Sequence, residues 1–119
     1  KRGFEVSDSA RTITWAGGTH AFDLNHKNAL LRMQVIGLPG QYGNTPAACF
    51  RRFEEGVYSI SDVERVIEWG LIGGGTASRE AAKIVQNHVR GKPLGPSALL
   101  AMNVLTALFV GAENADASA

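Results

Sequence analysis

The residues best able to do chemistry in this chain lie between Trp69 and Ser78, in the stretch WGLIGGGTAS. Clustered glycines at a helix start can cradle a phosphate, because the backbone amides approach it without a Cβ in the way. A P-loop requires G-x-x-x-x-G-K-[ST] on the turn from a buried strand into a helix. Gly70 and Gly75 have the first spacing, but Thr76 stands where the lysine must be, and the residues before it have helical periodicity. G-x-G-x-x-G is absent from any βαβ setting. The stretch therefore reads as a helix end, a joint in which Gly73 to Gly75 take left-handed dihedrals and two helices fold back on each other.

Other constellations are equally bland. His20 and His26 flank Asp23, but they fall on opposite sides of a strand-to-helix junction with no cysteine or second carboxylate nearby, so capping or surface roles are expected and a metal site is not. His88 stands alone. No G-x-S-x-G elbow presents a serine nucleophile. Glu54 and Glu55 adjoin and so point to different helix faces, which rules them out as an acid–base pair. Arg51 and Arg52 read as a solvated face. Cys49, the single cysteine, cannot form an intrachain disulfide and is expected as a buried, inert thiol. No catalytic, cofactor-binding or metal-binding residues are expected, and an enzyme ranks last among the function classes.

The elements that would position these groups are mostly helical. RTITWA and THAFDL alternate on either side of Gly17-Gly18, a hairpin signal, and GFEVSD extends toward the same sheet. Asn25 is the expected N-cap of a first helix, HKNALLRMQVIG, with Ala29, Leu30, Met33 and Val35 or Ile36 as its stripe and Gly37 as its stop. LPGQYGNT is a loop, and PAACFRRFEEG a short helix opened by Pro46 and stopped by Gly56. Ser61 and Glu64 have capping-box spacing before a third helix with Val63, Val66, Ile67, Gly70 and Leu71 on one face. Thr76 or Ser78 caps a fourth, with Ala81, Ile84, Val85 and His88 or Val89 inward and Gly91 at its end. Pro96 opens the last, which runs to about Val110. The expectation is an α+β chain, mainly α: an N-terminal β-hairpin (12–24) followed by a four- to five-helix bundle (26–110), one domain over 1–111, and a frayed tail over 112–119.

Composition narrows the function. Twelve basic against eleven acidic residues give a net charge of +1, too little for a protein whose affinity rests on neutralising phosphates. The third and fourth helices do outline a helix-turn-helix, with Arg79, Lys83, Gln86, Asn87 and Arg90 on the would-be recognition helix, but a solvated face has the same composition. ALLAMNVLTALFVGA, from Ala98 to Ala112, falls short of the roughly 20 apolar residues that span a bilayer, and Asn103 interrupts it. No secretory signal is evident, so the cytoplasm is the default location. That last helix is apolar all round, which means it is either enclosed or touches a partner.

Taken in order, GTHAFDLNHKNALLRMQ, FEEGVYSISDVERVIEWGLIGGG and EAAKIVQNHVRGKPLGPSALLAMNVLTALFVG resemble the gene transfer agent and phage tail protein family, whose members are described as tail tube proteins and as tail assembly chaperone-like proteins. The resemblance rests on Asp62-Val63, Val66-Ile67, Gly70-Leu71, Gly73 to Gly75, Glu80-Ala81, Ile84-Val85, Pro93-Leu94 and Gly111, between Gly18 and Gly111. The insert LPGQYGNTPAAC is longer than the resemblance leads one to expect. It implies a non-enzymatic role in phage-type tail assembly in a bacterial host's cytoplasm, or in the particle itself. It also implies shielding of the tape measure protein, or contact with other tail proteins, until tube subunits polymerise. A helix-in-groove mode would cover an amphipathic tape measure, and the candidate surface is Val66, Trp69, Leu100, Val104, Leu108 and Phe109. The alternatives are a self-associating structural tube subunit, for which the strand content is low, and a helix-turn-helix DNA-binding protein.

Overall fold

A computed structural model describes residues 8–112. Among them are two strands, β1 (Arg11–Trp15) and β2 (Gly18–Phe22), and five helices, α1 (Lys27–Val35), α2 (Pro46–Glu55), α3 (Ile60–Gly73), α4 (Ser78–His88) and α5 (Leu94–Val110). The chain is α+β and mainly α, as expected. None of the described helices is long and apolar enough to cross a membrane. Most of GFEVSD, and all but Ala112 of the expected frayed tail, lie outside the described residues.

The antiparallel hairpin pairs Ile13 with His20 and Trp15 with Gly18, so its two-residue turn is Ala16-Gly17 rather than Gly17-Gly18. Gly18 is the first residue of β2 and still needs a positive φ, 117°. One face of the ribbon turns inward. Phe22 is buried, and Trp15 meets it edge-on at 6.1 Å. A two-stranded ribbon is marginal alone, and this one leans on α3, whose Gly70 carbonyl accepts the Asp23 amide at 2.9 Å.

The hub is α3, which packs against α1, α4, α5 and β2. Val63, Val66, Ile67 and Leu71 have no exposed surface, as their 3.6-residue spacing predicted. Its start differs from expectation. The capping box is Ser59 and Asp62, with Ser59 Oγ accepting from the Asp62 amide at 3.0 Å and Asp62 Oδ2 accepting from the Ser59 amide at 2.9 Å. Ser61 and Glu64 have the same spacing two residues on, but Glu64 instead accepts two hydrogen bonds from Arg90, in the turn just after α4.

The other caps also shift. Asn25 donates its amide to Asp23 Oδ1 and so belongs to the turn; His26 caps α1, its Nδ1 accepting from the Asn28 amide at 3.2 Å. Val35, two residues past buried Met33, is the last residue of α1 and turns away from the core, and Ile36 caps the helix end, so they are 74% and 52% exposed. Neither Thr76 nor Ser78 caps α4: Ala77 is its N-cap, with no side-chain bond. Helix α5 begins at Leu94, which puts Pro96 inside the first turn, where a missing amide hydrogen costs nothing.

The glycine run is not a joint of left-handed residues. Only Gly75 has positive φ, 113°; Gly73 is the last residue of α3, and Gly74 has φ −81°. A Cβ on Gly73 would lie 1.8 Å from the Asp23 carbonyl oxygen, and one on Gly74 would lie 1.9 Å from that of Ala21. These two glycines bring the helix end against the backbone of β2.

Candidate partner-binding surface

The six side chains expected to form a docking face divide sharply. Val66, Trp69, Leu100 and Val104 are 0%, 5%, 6% and 2% exposed, and they belong to the core where α3 and α5 meet. Leu108 is half-buried against the same core, and Phe109 is 44% exposed. The structure brings the first four together as packing residues and leaves Leu108 and Phe109 near the surface.

What α5 does present is an arc through Leu99, Met102, Asn103, Thr106, Phe109 and Val110, at spacings of three and four. Leu99 is 69% exposed, and Phe109 and Val110 are each 44% exposed. Helix α2 runs beside α5 in the opposite direction. Phe50 stacks on Phe109 with ring centres 5.2 Å apart, whereas Phe53, nearer the end of α2, borders Ala98 and Met102. Tyr58 lies flat on Phe53 at 4.7 Å. Between these rings and the first turns of α5 runs an open groove of about 500 Å³ floored by Phe53, Tyr58, Ala98, Leu99 and Met102. It carries no charged side chain along α5, so what it suits is apolar contact.

The sequence reading missed Leu99, Met102, Phe50, Phe53 and Tyr58. A helix that is apolar all round has no periodicity to mark its outer face. The one usable signal was polar: Asn103 and Thr106 mark the solvent arc, and Leu99, Met102 and Val110 lie one turn either side of them.

The groups weighed for chemistry are occupied structurally. His20 Nδ1 accepts from Trp15 Nε1 at 3.0 Å, His26 caps α1, and His88 meets the Trp15 ring edge-on at 6.4 Å. Among the described residues no three His, Cys, Asp or Glu side chains group closely enough to hold a metal ion. A polar hollow of about 520 Å³ lies between His26, Asn28 and Arg32 of the α1 region and the glycine turn before α4. Of the helix-turn-helix residues, Arg90 is tied to Glu64.

Arg52 overturns the expectation of a solvated arginine pair. It is 1% exposed. Its Nε and Nη2 donate to both carboxylate oxygens of Asp62 at 2.8 and 2.6 Å, and the remaining donors reach the carbonyls of Leu38, Gln41 and Gly43. The long insert is thus folded around a buried guanidinium. Arg51 does stay outside, on Glu55 and over the Tyr42 ring.

Cys49 sits in this neighbourhood with no exposed surface. Burial, with the nearby Asp62 charge, pushes its thiol up to about 12 from an ordinary 9.0. Its thiolate fraction at pH 8 falls by roughly two to three orders of magnitude. Ellman's reagent is therefore expected to leave the folded protein unlabelled over hours and to titrate one thiol at once in guanidinium; rapid labelling of the native protein would refute that burial.

No curated protein and no solved structure matches the chain. The resemblance drawn from the ordered motifs holds, for a family model described as phage tail tube protein, GTA-gp10, matches residues 8–111, and the chain belongs to that family.

Proposed function

We propose that this member of the phage tail family is a non-enzymatic, chaperone-like tail assembly factor acting in the host cytoplasm. In this reading its α2–α5 groove receives an amphipathic helical segment of the tape measure protein. The observation that carries the reading is the apolar outer arc of α5, with Leu99, Phe109 and Val110 exposed and Met102 partly buried, running beside the Phe50, Phe53 and Tyr58 rings. A groove walled by a helix and aromatic side chains, open along its length, suits the apolar stripe of another helix. A tape measure awaiting its tube exposes such stripes.

Co-expression with the tape measure protein of the same gene cluster, followed by affinity capture, tests this. Leu99 is 69% exposed, so Leu99→Asp leaves the fold intact. If the partner buries Leu99, the change removes about 1.5–3 kcal/mol of binding, a loss of roughly 10- to 150-fold in affinity. Undiminished capture by a folded Leu99→Asp protein would remove the groove from the mechanism.

A second reading, a structural subunit of the tube, is favoured by the family's own description. It predicts that the chain is retained at high copy number in purified particles, whereas an assembly factor is absent from them. Quantitative peptide analysis of particles separates the two.

A further inference from the structure

The α2–α5 groove does not stop at the first turn of α5. Pro96, exposed at its edge, also walls a second hollow of about 360 Å³ on the other flank of the helix. That hollow lies between Ala16 at the hairpin turn, His88 at the end of α4, and Lys92, Pro93 and Ser97 around the start of α5. Pro96 is thus a ridge with a depression on each side. Leu99 follows it by one helical turn, so a segment that covers Leu99 and passes over Pro96 enters the second hollow.

The two hollows differ in charge. The groove, from Phe53 and Tyr58 to Leu99 and Met102, has no charged side chain in its lining. The second hollow has Lys92, which is exposed, beside His88. No carboxylate lines either one. Among the described residues the Lys92 ammonium has no ion-pair partner: the ion pairs join Arg51 to Glu55, Arg52 to Asp62 and the neighbouring Arg90 to Glu64. An apolar surface that ends at an unneutralised cation complements an apolar stripe that ends at a carboxylate.

We propose, resting on the groove reading above, that the helical segment received there carries an aspartate or glutamate roughly one to two turns from the apolar residue seated on Leu99. This carboxylate crosses Pro96 and meets Lys92. Apolar contact with Leu99 and Met102 supplies the affinity. Lys92, at the rim, fixes which end of the segment lies over Pro96 and speeds its arrival. A segment with lysine at that place brings like charges together with no lining carboxylate to neutralise them, and is rejected.

Two synthetic helical peptides test this, identical in a leucine stripe and carrying either glutamate or lysine at both ends. Fluorescence anisotropy with the whole chain is expected to show the glutamate peptide bound about three- to tenfold more tightly at low salt, the scale of an exposed charge pair and its reversal. The difference should vanish at about 1 M salt, where the Debye length is about 3 Å. Lys92 is exposed, so Lys92→Glu leaves the fold intact; it is expected to reverse the preference, whereas Leu99→Asp weakens both peptides together. Equal binding of the two peptides overturns the proposal. So does a preference that survives Lys92→Glu, or binding of neither peptide. The tape measure protein separates this from the groove reading. Capture lost on Leu99→Asp but undiminished on Lys92→Glu keeps the groove and overturns the charge match. Peptides that discriminate and reverse, with no capture of the tape measure, keep the charge match and overturn the tape measure as its partner.

Discussion

Replacing Arg52 with methionine is expected to cost about 3–5 kcal/mol of folding stability, the range for removing one partner from a buried ion pair. Methionine approximates the length of the side chain and fills part of its space, so the loss is electrostatic in origin. Asp62 would be left ionised at 1% exposure without the Arg52 cation that pairs it, and the carbonyls of Leu38, Gln41 and Gly43 would lose the Arg52 donors. Set against the 5–15 kcal/mol that holds an ordinary domain together, this leaves a marginal protein. Urea denaturation of both proteins at pH 7 measures the difference; a loss under 1 kcal/mol would show the pair to be dispensable.

The same variant should reverse the effect of acid. Burial alone would raise the Asp62 carboxyl, but the hydrogen bonds from Arg52 and the Ser59 amide more than offset it and hold the group below its ordinary 3.8. A carboxyl depressed by folding contributes stability that is complete above its unfolded value and lost as pH falls through the folded one. The unaltered protein therefore loses this contribution only well into acid. Without Arg52, burial dominates, the carboxyl takes up a proton more readily in the folded state, and acidification relieves part of the damage. The deficit of Arg52→Met is expected to be largest near neutrality and to narrow toward pH 4; a gap constant across that range would mean that Asp62 is not the aggrieved group.

How much of this was legible in the sequence depended on whether the deciding partner was local. Periodicity located α3 and its buried face, because Val63, Val66, Ile67 and Leu71 answer only to helix geometry. Its capping box was misplaced because Ser59–Asp62 and Ser61–Glu64 are overlapping alternatives with the same spacing. The choice was made at a distance, by Arg52 taking Asp62 and Arg90 taking Glu64. Arg52 itself left a trace: Ala48, Cys49, Arg52 and Phe53 form one helical stripe, so an arginine inside it had to be buried or break the pattern. The docking surface was hardest, since the rotation of an all-apolar α5 is set by what it packs on.

Placing a methyl group on Gly73 is expected to be as damaging as removing Arg52, for a steric reason. Its Cβ would sit 1.8 Å from the Asp23 carbonyl oxygen, with the Asp23 carbon at 2.9 Å and the Ala29 Cβ at 3.2 Å. Neither backbone neighbour is a flexible side-chain end, so α3 and β2 must separate by more than an ångström. That would stretch the bond from the Asp23 amide to the Gly70 carbonyl and open the core around Phe22. Overpacking of this severity costs about 3 kcal/mol or more, a fall of roughly 15 °C in Tm for a chain of this size. Gly95 supplies the control. It lies in the first turn of α5, where a Cβ would meet nothing beyond its chain neighbours, and Gly95→Ala is expected to change Tm little, a helix-propensity gain of up to about 1 kcal/mol being opposed by contact of the new Cβ with the Pro96 ring. Calorimetry on the two alanine variants separates close approach from loss of backbone freedom: if Gly73→Ala melts with the unaltered protein, the glycines are a flexible joint after all, and the hairpin does not depend on touching α3.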